Sequence, residues 1–246
     1  MSSYSKACCT LPPAQAGDYT SKGSYETIGG LKTYVTGDKN VSKAIFWMAD
    51  VFGFSSPTLQ GADIIASAGY LVVIPDLLQG NYAKAAWFAD TMSDSEQQEK
   101  GKFYGYIRDW PSRLQTVETS LAGLKAEYKG VQKWGSIGFC WGGKVAALTS
   151  GENAKWAVSI ESSPAMVDPK DAEKIVIPHM MLASKDEPVA EVKQFKEALK
   201  TPHVVETFSD QVHGFMSARA DFENPRTKEE FERGYKMAVG FFQEHL

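Results

Sequence analysis

Three side chains, far apart in the chain, have the types and the order needed for nucleophilic catalysis. Cys140 lies in Gly138-Phe139-Cys140-Trp141-Gly142-Gly143, directly after an apolar run. A nucleophile lifted on a sharp strand-to-helix turn needs small neighbours, because the chain reverses too tightly for side chains beside it. At a helix N-terminus the partial positive charge favours a thiolate. Downstream come Asp186-Glu187-Pro188 and then His213-Gly214-Phe215, each after another apolar segment. Nucleophile, acid and histidine in that order suit acyl transfer. His213 takes the thiol proton and later protonates the leaving group. Asp186 fixes the imidazole tautomer and stabilises its cation, with Glu187 as the alternative. Each residue has a plainer reading: a core thiol, a turn histidine, a helix cap. The ordered set is more specific than any member.

The elements that must position these residues alternate between strand and helix. Segments 24–28 and 31–36 flank Gly29-Gly30 and read as a hairpin. Apolar runs 44–48, 70–74, 134–139, 156–160 and 175–183 read as buried strands, and 203–208 as a further one. Helices are expected over 57–68, 112–128, 189–200 and 228–245, and after Cys140. Residues 77–110 read as an irregular, aromatic excursion over one sheet edge. The pattern predicts an α/β fold with a mainly parallel sheet of about seven or eight strands and helices on both faces. It divides the chain into an N-terminal arm, 1–23, and one domain, 24–246. Ligands of such sheets sit at the carboxyl ends of the strands, where the three residues lie.

Composition removes several classes of function. A net charge of −4 gives no electrostatic footprint for nucleic acid. Three cysteines, two of them adjacent (Cys8 and Cys9), make no disulfide framework and suit a reducing, cytoplasmic compartment. The four histidines lack zinc spacing, so no metal and no cofactor is expected. No secretory leader and no apolar stretch of membrane length is present, so no membrane partner is expected. The helix faces do not separate a monomer from a homodimer.

With these motifs in hand, the chain resembles the dienelactone hydrolase family from about Gly30 onward. The resemblance rests on G-x-C-x-G-G at Gly138–Gly143, on Asp50-Val51-Phe52-Gly53, on Pro75-Asp76-Leu77 and on His213-Gly214-Phe215. The arm bearing Cys8-Cys9 is similar to fungal members. The resemblance implies an α/β-hydrolase fold, a Cys140–His213–Asp186 triad, and an oxyanion hole made by the Val51 and Trp141 backbone N–H groups. It also implies that Asp50, standing where bacterial lactonases carry Glu, contacts the resting thiol and gates its ionisation. The two arginines that hold a substrate carboxylate in bacterial members do not carry over: Ser217 and Gln98 stand in their places, with Arg219, Lys100 and Lys102 nearby. Phe52, Phe215 and Arg219 are the expected substrate contacts, beside Phe54, Trp141 and Met216. The expected activity is hydrolysis of a small ester or lactone through an acyl-enzyme. Rival readings are a glutaminase-like amidase, an idle binding protein and a redox sensor. The first would want an acid two residues after His213, where Phe215 stands.

Overall fold

A computed structural model describes residues 19–89 and 91–246, so Cys8 and Cys9 lie outside the described residues. Eight strands form one sheet: β1 (Ser24–Ile28), β2 (Leu31–Thr36), β3 (Lys43–Met48), β4 (Leu71–Pro75), β5 (Lys133–Phe139), β6 (Val158–Ser162), β7 (His179–Ser184) and β8 (His203–Phe208). Their order is β1-β2-β4-β3-β5-β6-β7-β8. β1 and β2 form an antiparallel hairpin, and β2 pairs antiparallel with β4. From β4 to β8 every pairing is parallel. Gly29 and Gly30 both have positive φ, which the tight two-residue hairpin turn requires.

Seven α-helices and a 3-10 turn (Ala85–Phe88) complete the described chain, the α-helices being α1 (Ser56–Ser67), α2 (Asp94–Arg108), α3 (Trp110–Glu127), α4 (Trp141–Leu148), α5 (Pro169–Ala172), α6 (Val189–Ala198) and α7 (Pro225–His245). The period-2 alternation of β3 shows how they divide. Ala44, Phe46 and Met48 pack with Val117 and Leu121 of α3 and Val145 of α4. Ile45 and Trp47 face the other way, onto Leu59 and Ile65 of α1 and Phe231 and Tyr235 of α7. Both faces are covered, which is why these strands read as continuous apolar runs.

The excursion is the main correction to the expected elements. Residues 94–108 are helical, entered through a capping box in which Ser93 and Glu96 satisfy each other's backbone N–H groups. Its body shows the core only Phe103 and Ile107, too few for an apolar stripe to stand out. β6 and β7 begin two and four residues later than expected. Among the described residues no helix is long and apolar enough to cross a membrane.

Candidate active site

The end of β5 builds the turn that carries Cys140. Its φ of 54° and ψ of −113° are rare for a residue with a side chain. The glycines show why this sequence reaches that geometry. A Cβ on Gly138 would stand 2.1 Å from the Gly142 carbonyl oxygen, and one on Gly142 would stand 2.1 Å from that of Met48. Neither contact is possible, so both positions must be glycine. The strained residue is held from both sides. Its N–H donates to Ser162 O at 3.1 Å, and its carbonyl accepts from Ala165 N at 2.9 Å and Gly143 N at 3.1 Å. The Trp141 indole donates to Ile107 O at 2.8 Å, which ties the start of α4 to α2.

His213 lies on the loop after β8 and is fully buried. Its side chain hydrogen-bonds Cys140, and its Nδ1 lies 2.6 Å from Glu187 Oε1. The carboxylate at the imidazole is therefore Glu187, where Asp186 was expected. β7 ends at Ser184 and the chain turns, leaving Asp186 half-buried and Glu187 buried. Glu187 points inward and also accepts from Ser184 N. Asp186 accepts from the backbone N–H of His213 at 2.7 Å, so it positions the histidine's main chain and not its ring. Burial disfavours the imidazolium, but the Cys140 charge and hydrogen bond, with Glu187 behind, outweigh it and push His213 up to about 10. A shift in that direction favours the charged imidazole beside Cys140.

Asp50, just beyond β3, is buried. One carboxylate oxygen accepts from Phe52 N at 2.8 Å and the other from Ala218 N at 3.1 Å, with Ser217 a further side-chain partner. Burial and the nearby Cys140 charge push its carboxyl up, against these three donors. Asp50 thus faces Cys140 and also bridges the β3 loop to the histidine loop. The Ser217 contact had no sequence signal, because one serine in a loop announces nothing. Val51 and Trp141 lie equally far past the paired residues Met48 and Gly138 of parallel strands, which brings both segments to the same end of the sheet.

The expected substrate contacts divide. Phe52 is half-buried, with its ring 5.5 Å from Phe88. Arg219 places its guanidinium 5.3 Å from the Phe52 ring and donates to His213 O at 3.3 Å. Phe215 is withdrawn into the core on the α1 and α7 face, 4.7 Å from Phe208, so its expected role is corrected. The hydrophobic positions after His213 fill the space beneath the loop, and Met216 and the Trp141 side chain are buried likewise. Cys140 itself is only 2% exposed.

Comparison with known proteins identifies the family and the fold. The sequence profile of the dienelactone hydrolase family matches residues 31–246. An AIM2 family protein of Schizosaccharomyces pombe is 32% identical over 249 residues, covering 96% of this chain and 98% of that protein. A carboxymethylenebutenolidase homolog of Rattus norvegicus is 26% identical over 242 residues, covering 93% and 94%. Among solved structures, a putative dienelactone hydrolase from Klebsiella pneumoniae superposes with a TM-score of 0.68 at 16% identity, covering 92% of this chain and 99% of its own. By the extent of the profile match and the identity to its relatives, the chain belongs to the dienelactone hydrolase family.

Proposed function

We propose that this chain hydrolyses small carboxylic esters or lactones through a thioester at Cys140. The observation that carries the reading is the bonded line from Cys140 through His213 to Glu187. Cys140 Sγ, its proton already on His213, adds to the carbonyl carbon, and the π electrons move to oxygen. The Val51 and Trp141 N–H groups donate to that oxyanion. Collapse breaks the bond to the leaving oxygen, which takes the His213 proton and departs, or stays tethered if the substrate is a lactone. Water then adds to the thioester and loses a proton to His213. The second collapse expels the Cys140 thiolate, restores the ion pair and frees the acid.

Glu187 holds the imidazole tautomer throughout. Phe52 and Arg219 supply an apolar face and a cation near His213 for the substrate. The relatives named carboxymethylenebutenolidase homologs favour the lactone branch of this reading. A buried thiol outside any disulfide is suited to the reducing cytoplasm. The test is hydrolysis of aryl acetates and unsaturated lactones by wild type and Cys140→Ala. Activity in the wild type that falls by at least about a thousandfold in the variant is expected. Undiminished hydrolysis by Cys140→Ala overturns the proposal.

A further inference from the structure

A second cavity, of about 350 Å3, lies between the 80–87 loop and α2. It contains none of the residues assigned to catalysis. Its walls are the rings of Tyr82, Trp87, Phe103 and Tyr106, and its rim carries Lys84 and Lys102. A much smaller cavity bordered by Asp50 and Trp141 adjoins it and shares only Tyr82, so that ring separates the two spaces.

The polar groups around the larger cavity are unbalanced toward donors. The single acidic side chain on its wall, Glu99, is taken up by Lys84 at 2.6 Å. Lys102 is exposed and has no ion-pair partner among the described residues. The Trp87 indole N–H is buried and has no acceptor among the described residues. The tyrosine hydroxyls do not redress this, because Tyr82 bonds Asp76 and Tyr106 donates to Leu78 O. The tyrosines therefore offer ring surface, while Lys102 is the lining cation with no ion-pair partner among the described residues. An anion held at the rim would pair with the Lys102 ammonium, and the rings beneath it would bury its apolar part. Trp87 and Phe103 lie with centroids 5.3 Å apart, tilted by 50°, a pairing that offers both a face and an edge to a flat guest.

We propose that this cavity binds a small aromatic carboxylate, with its ring among Tyr82, Trp87 and Phe103 and its carboxylate toward Lys102. The volume suits a molecule of one or two rings. The positive rim disfavours a cation, and the excess of donors disfavours a neutral hydrocarbon. The site is independent of the catalytic reading and survives or fails separately from it.

The probe is 4-fluorobenzoate, followed by fluorine NMR line broadening with the whole chain. Three proteins are compared: wild type, Cys140 capped with iodoacetamide, and Lys102→Glu, whose exposed position leaves the core untouched. The expected result is saturable broadening that capping leaves unchanged and that Lys102→Glu weakens about tenfold, with 4-fluorobenzamide weaker than the acid by a similar factor. Absence of binding, equal binding by Lys102→Glu, or loss of binding on capping Cys140 each overturns the proposal. The last of these would place the probe in the catalytic pocket.

Discussion

Exchanging the two neighbouring acids separates the roles of Asp186 and Glu187. In Glu187→Gln one carboxylate oxygen becomes an amide NH2. The two oxygens now accept from different donors, His213 Nδ1 at 2.6 Å on one side and Ser184 N on the other. An amide can serve one of them, and turns a donor toward the other. The lost bond is charge-assisted and fully buried, a class worth about 1.5–3 kcal/mol. At 1.36 kcal/mol per unit this lowers the His213 pKa by about 1–2 units. The protonated imidazole, held to about 10 in the wild type, then gives up its proton at correspondingly lower pH. Because that proton must reach the leaving group, kcat/KM declines on the alkaline side as pH rises through the His213 pKa. The wild-type limb falls near 10, and the Glu187→Gln limb falls earlier. Near neutral pH the imidazole stays protonated in both proteins, and the lost bond alone costs the variant about 10- to 150-fold in kcat/KM, short of the roughly 10,000-fold cost of a wrongly held tautomer in a serine protease. Asp186→Asn keeps an acceptor for the His213 backbone N–H and loses less than about fivefold. The assay is hydrolysis of an aryl ester between pH 6 and 10.5, with the iodoacetamide rate at Cys140 as a second readout. A loss confined to Asp186→Asn, or a wild-type alkaline limb near pH 7, refutes the assignment.

Three other perturbations follow from the same contacts. Gly142→Ala forces a Cβ to within 2.1 Å of Met48 O, so the elbow must open; a stability loss of roughly 2–4 kcal/mol in urea unfolding, with activity abolished, is expected. Unchanged unfolding would mean that the turn is not built this tightly. Lys144→Met strands the buried Asp171, and costs about 3–5 kcal/mol, whereas Lys144→Met with Asp171→Leu recovers most of that loss; additive losses in the cycle contradict the pairing. Asp50→Asn removes the negative charge facing Cys140 and weakens one end of its bridge between Phe52 N and Ala218 N. Faster alkylation of Cys140 together with a roughly tenfold fall in kcat is expected, and slower alkylation rules out repulsion of the thiolate by Asp50.

The fold was largely legible because a buried parallel sheet writes itself as uninterrupted apolar runs, and Ala44–Met48 or Leu71–Pro75 admit little else. The hairpin was legible for a local reason, the two positive-φ glycines at its tip. The elbow was legible because its steric demands fall on sequence neighbours: Gly138 and Gly142 must be small whatever surrounds them. Residues 94–108 were not, since only Phe103 and Ile107 of that helix are buried and its chief local signal is one capping box. The acid fell between. Its loop was readable from strand order, but which of two adjacent carboxylates turns inward depends on how the chain leaves β7, and on the extra methylene that lets Glu187 reach the ring. Phe215 illustrates the same limit, since an aromatic next to a catalytic histidine is equally suited to lining a pocket and to filling the floor beneath it.

These limits share one physical origin. A turn that must reverse within three residues constrains those residues alone, so its chemistry is written locally. A hydrogen bond across 26 residues, such as that from His213 Nδ1 to Glu187, depends on where two strands end. β7 and β8 are paired from His179 with His203 to Ser184 with Phe208, and that register carries both loops to the same edge. Had the loop after β7 been one residue longer, Asp186 would occupy the inward position and Glu187 would face solvent. The length of the loop after β7, together with the reach of each side chain, therefore decides which carboxylate meets the histidine. An insertion of one residue between Ser184 and Asp186 would be the change most expected to hand the role from one to the other.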